Sequence, residues 1–209
     1  MDFFVHCLMS ILVRTKNIMM KRNITVFAIL ILVANSGWAQ DFRGLDKSPM
    51  DRSYLPDNFA HDRKFAPERK LGESAIIKVV YSRPQKKGRE VFGGMVKYGK
   101  VWRLGANEST EIMIYQDIEV GGKTLKKGSY AMFAIPAEKD WTIIFNSDLN
   151  EWGHYSYDES HDVLRVKAIV MQVGETIEAF SIQFEDLGSN QAVMRIGWDK
   201  TVAELPLSY

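Results

Sequence analysis

The chain has 209 residues, of which 25% are charged and 46% apolar, and its 27 basic and 26 acidic side chains leave a net charge of +1. That balance carries no electrostatic footprint for general nucleic-acid binding, and the length suits one sizeable domain with appendages. Cys7 is the only cysteine, so a chain processed beyond it has no thiol for disulfides, thiolate metal sites or a cysteine nucleophile.

Residues 1–39 read as an export signal. Lys21 and Arg22 form a basic start, Ile24 to Ala34 an apolar run, and Gly37-Trp38-Ala39 the small residues that a signal peptidase recognises. Cleavage after Ala39 leaves a chain starting at Gln40, and residues 1–18, ahead of Met19-Met20, read as an over-long start. The apolar run is too short to cross a hydrocarbon core of roughly 30 Å as a helix; an uncleaved N-terminal anchor is the alternative. No cysteine stands beside the cleavage point, so a lipid anchor is not expected. Without residues 1–39, 23 basic side chains face 25 acidic ones. A periplasmic or secreted protein without a membrane span is the expectation.

Residues 40–71 carry prolines and scattered aromatics without period, and read as an extended lead segment. Periodicity begins at Ala75, where AIIKVVYS is a strand by its β-branched content and Pro84 ends it. Glu111 to Val120 reads as a strand or a bulged pair, and Gly121-Gly122 as a hairpin turn whose residues both accept positive φ. Gly128 precedes the strand SYAMFAIP, answered by Trp141 to Asn146. Leu164, Val166, Ala168 and Val170 alternate with Arg165 and Lys167, and Phe180, Ile182 and Phe184 with Ser181 and Gln183. Ala192, Met194, Ile196 and Trp198 share a face before Asp199-Lys200 turns the chain into a last strand. About eight to ten short strands with no helical stripe predict an all-β domain over 72–209, a single antiparallel β-sandwich in preference to an open barrel.

The densest stretch is YSRPQKKGREVFGGMVKYGKVWRLGANEST, Tyr81 to Thr110, where cations and aromatics lie among turn glycines, as in a site built from loops on a β scaffold. With LKKGSYAMFAIP, DWTIIFN, WGHYSYDE and the closing WDKT, it resembles a family of exported bacterial proteins catalogued as a domain of unknown function, number twenty-nine eleven. The resemblance runs from about Gly72 onward. It implies export and an all-β domain, and brings no activity, substrate or catalytic residue.

Three clusters are candidates for chemistry. Trp102 and Arg103 with Asn107 and Glu108 suit a sugar or small polar ligand, an indole covering apolar faces while charged groups read hydroxyls. Equally, Arg103 stacking on Trp102 and pairing with Glu108 would tie down a turn. Arg83, Lys86, Lys87 and Arg89 suit a phosphate, sulfate or uronate, or form a solvated basic hairpin. The loop around Trp152, His154 and Tyr155 is longer than a hairpin needs and suits aromatic contacts or packing on the rim. His154, Asp158, Glu159, His161 and Asp162 match no ligand spacing, so no metal is expected, and no motif calls for a cofactor. Ser109, Ser129 and Ser147 lack a nucleophile's context.

The reading is an exported protein that binds a sugar, small anion or envelope partner without catalysis. Its ligand set is Arg83, Arg89, Trp102, Arg103, Asn107, Glu108, Trp152, His154 and Tyr155. A hydrolase acting on a glycan or other envelope polymer, with Glu108 as acid or base, is the alternative, and a structural or assembly component the second.

Overall fold

The computed structural model describes residues 14–16 and 42–209. The export signal read over 1–39 lies, apart from 14–16, outside the described residues. The chain divides into two compact units at Gly44/Leu45, and the second, Leu45–Tyr209, carries all the strands. Among the described residues, no helix is long and apolar enough to cross a membrane.

The second unit is all-β and antiparallel. Its strands are β1 (Met50–Leu55), β2 (Ile77–Ser82), β3 (Thr110–Ile114), β4 (Ile118–Val120), β5 (Lys123–Leu125), β6 (Gly128–Ile135), β7 (Asp140–Asn146), β8 (Asp162–Gly188) and β9 (Gln191–Ser208). One short helix, α1 (Phe59–Phe65), follows β1. All nine strands belong to one sheet in the order β1-β2-β3-β6-β7-β8-β9-β4-β5. The layers are therefore parts of a single sheet folded over on itself.

Two long strands make that possible. The first part of β8 pairs with β7 and with the end of β9, while its second part pairs with Gln191–Asp199 of β9, with register shifts around Ile177. That second part also meets the opposite end of the sheet. Gln85 bridges Ala179, Ser53 Oγ donates to the Ile182 carbonyl at 2.7 Å, and Tyr81 donates its hydroxyl to the same carbonyl at 3.1 Å. The two strands expected on either side of Asp199-Lys200 are one bent strand, with Asp199 at φ 55° forming the bend.

Within the extended lead segment read over 40–71, β1 and α1 are regular elements that the sequence did not announce. The inward positions of β1 are Asp51, Ser53 and Leu55, so the alternation is masked by two polar residues whose partners, Arg83 and the Ile182 carbonyl, lie far along the chain. Burial of a hydrogen-bonded polar group carries no large penalty, and the strand forms regardless.

β6 reads as a continuous apolar run because both its faces are covered. Tyr130, Met132 and Ala134 join the main core, whereas Ala131 and Phe133 join Ile144 of β7 in a second cluster covered by Val101 and Tyr157. The main core centres on aromatics. Trp102 stacks on Trp198 at 6.1 Å and meets Trp141, Phe180 and Phe92 edge-on at 5.8, 5.2 and 5.9 Å. Such pairs add roughly 0.5–1.5 kcal/mol each beyond the area they bury.

Candidate functional site

Trp102 fixes the geometry of the site. It forms an isolated bridge to Ala134, at the end of β6 where a continuation of β3 would otherwise run, with Trp102 N donating to the Ala134 carbonyl at 2.7 Å and Ala134 N donating to the Trp102 carbonyl at 2.8 Å. Residues 103–109 then leave the strand line as a compact excursion, closed where Thr110 N donates to the Arg103 carbonyl. Leu104, Gly105 and Asn107 have positive φ there, and Trp102 Nε1 donates to the Gly105 carbonyl at 3.2 Å. Leu104 is fully buried, which accounts for a leucine held at φ 52°.

The loop of residues 147–161 docks on this excursion. Ser109 N donates to the Glu151 carbonyl at 3.0 Å and Asn150 N to Glu111 Oε1 at 2.8 Å. The docking sets Gly153 against the side chain of Arg103 and brings Arg103 within electrostatic reach of His154. His154 stacks on Tyr155, the rings 5.6 Å apart and 9° from parallel.

Beside them lies a cavity of about 380 Å³, walled by Met95, Val96, Val101 and Trp102 and edged by Lys97, Lys100 and His154. Arg103 is half-buried, and its Nε is buried with no hydrogen-bond partner. Among the described residues, neither Lys97, Lys100, Arg103 nor His154 forms an ion pair. Partial burial, and then the Arg103 charge, push the His154 imidazole below its ordinary value. A bound anion would supply the opposite charge that Lys97, Lys100 and Arg103 lack among the described residues.

The sequence-derived set separates accordingly. Trp102 and His154 line the cavity, Arg103 lies within electrostatic reach of His154 without lining it, and Tyr155 stacks on His154. Trp102, however, is a core residue only 7% exposed, whereas Trp152 and Tyr155 are 59% and 79% exposed. Asn107 and Glu108 sit on the adjoining excursion, where Glu108 is exposed and its carboxylate accepts no hydrogen bond from the described residues. The ion pair foreseen between Arg103 and Glu108 does not form.

The basic cluster of residues 83–89 is already engaged. Arg83 donates to the Phe180 carbonyl, to Asp51 at 2.9 Å and to Ser181 Oγ at 2.9 Å. Lys86 pairs with Asp199 at 2.5 Å, and Arg89 donates to the carbonyls of Gln85 and Lys86. Arg83 and Lys86 fasten the turn after β2 to β8 and β9, while the bonds of Arg89 stay within the turn. Lys97 and Lys100, which do edge the cavity, were outside the predicted set, although their place between Gly94 and Trp102 in the densest stretch was a usable signal.

His154 apart, the acidic and histidine residues singled out in the long loop are also committed. His161 Nδ1 lies 2.7 Å from Asp148 Oδ2, and Asp158 caps Ser160 N. Asp162 accepts from Asn146, Tyr157 and Arg165. Burial, with the Asp162 carboxylate next, pushes the Tyr157 hydroxyl up to about 12. Among the described residues, no group of three or more His, Cys, Asp or Glu side chains is placed to hold a metal ion.

Fold and site together define an all-β, single-sheet domain with an apolar-walled cavity edged by cations. The chain belongs to the family described as a protein of unknown function, DUF2911, whose model matches residues 66–207. No curated protein and no solved structure matches the chain.

Proposed function

We propose that this chain is an exported, non-catalytic binding protein that takes a small anion at the cavity lined by Lys97, Lys100 and His154, beside Arg103. The observation that carries the reading is the Arg103 guanidinium, half-buried without a carboxylate or a hydrogen bond to any described residue. A cation withdrawn from water is costly unless paired, so a site that holds one open favours an anionic occupant. The exposed rings of Trp152 and Tyr155, on the same loop as His154, offer apolar surface to a larger ligand such as an acidic sugar.

Amide NMR titrations with acetate, inorganic phosphate, sulfate and glucuronate test the reading. At least one anion is expected to shift resonances of Val101–Arg103 and Gly153–His154, and Arg103→Met is expected to abolish those shifts. Absence of site shifts with every anion, or their persistence in the variant, overturns the reading.

A further inference from the structure

Resting on that anion-binding reading, we infer that the ligand is amphipathic, an anionic head on a slender apolar body, with the head held by the cations and the body inserted between Met95, Val96, Val101 and Trp102. Lys97 and Lys100, with the polar imidazole of His154, are the exposed polar members of the lining, and the four remaining lining residues carry no charge. A site for a bare inorganic anion needs donors on all sides and gains nothing from such walls. The cavity, about 380 Å³, falls near the small end of the roughly 300–1,000 Å³ found for ligand pockets. It therefore suits a single chain or ring, and not a polymer segment.

The walls differ in their freedom to adapt. Trp102 is locked by four ring contacts and by its Nε1 bond to the Gly105 carbonyl, so one wall is rigid. Met95 is exposed at the mouth, and its unbranched thioether can conform to chains of different shape. Rigid aromatic on one side and soft methionine on the other favour graded recognition by length over recognition of one outline.

Calorimetric titration of the protein with acetate, butanoate, hexanoate and octanoate, with octan-1-ol as the neutral control, tests this. Each methylene that enters is expected to tighten binding about three- to fourfold until the cavity is full, with octan-1-ol at least about tenfold weaker than octanoate. Met95→Ser, at an exposed position of the lining, is expected to flatten the length dependence. Octyl phosphate against octanoate then assigns the head to phosphate or carboxylate, and tighter binding of either supports the inference. Octanoate binding no tighter than acetate overturns the inference and leaves the anion reading standing; no binding by any of the anions overturns both. Equal affinity for octan-1-ol and octanoate also overturns it, since the cations would then play no part.

Discussion

The side chain of Arg103 lies directly against the α-carbon of Gly153, so that a β-carbon at position 153 would sit 2.9 Å from Arg103 Nη1 and 3.5 Å from its Cδ. Gly153 also has φ 72°, in the left-handed region that costs other residues roughly 1–2 kcal/mol. Gly153→Ala is therefore expected to lower stability by about 1–2 kcal/mol and to push the guanidinium aside, weakening anion binding. Urea unfolding and a phosphate or octanoate titration read the two effects separately. A variant with normal affinity would show that the Arg103 position is not set by this contact.

Arg103→Met removes a half-buried charge whose Nε has no acceptor. Because the lost cation has no partner among the described residues, stability is expected to stay within about 1 kcal/mol of the parent or to rise. Affinity for an anion is expected to fall by about tenfold or more. A large loss of stability by urea unfolding would mean that the guanidinium is a structural tie.

The two central indoles differ in one bond. Trp102 Nε1 donates to the Gly105 carbonyl, whereas Trp141 Nε1 is buried without an acceptor. Trp102→Phe is expected to cost roughly 2 kcal/mol, combining lost packing with an orphaned carbonyl. Trp141→Phe should cost about 1 kcal/mol less, since it also removes an unsatisfied donor. Urea denaturation of both variants checks the order, and a costlier Trp141→Phe contradicts it.

The two loop histidines respond oppositely to pH. Hydrogen bonding to Asp148, with its charge, raises His161 above the ordinary value of 6.5. Its contribution to stability is fully present below about pH 6.5 and is lost as pH rises through the raised folded value. His154 is lowered by burial and by Arg103, so its contribution is present above 6.5 and is lost as pH falls through the lowered value. Asp148→Asn is expected to flatten the decline of Tm on the alkaline side and to leave the acid side unchanged. An unchanged alkaline limb would show that the His161–Asp148 pair does not contribute.

Most strands were legible because their inner and outer residues differ in kind. Gly121-Gly122 joins β4 to β5 with φ 56° and 76°, the turn that the dipeptide predicts. β1 was not legible, because Asp51 and Ser53 point inward and only residues more than a hundred positions away or across the sheet make that tolerable. The same blindness governs the site. Arg83 and Lys86 looked free, yet their partners Phe180 and Asp199 are 97 and 113 residues distant. Arg103 was legible as a cation at a turn, but its lack of a partner is a property of the folded surroundings alone.

Strand β8 crosses both layers, and it is the element that covers β1 and the end of β2. Ser53 therefore waits for the Ile182 carbonyl, 129 residues later in the chain, before its hydroxyl is satisfied and the apolar side of its hairpin is shielded. Closing a loop of that size is entropically expensive and kinetically slow, so early strands stay uncovered while the later ones are still searching for register. Folding is therefore expected to be slow, with unpaired strand edges transiently exposed, and a holding chaperone is expected to raise the yield of refolding.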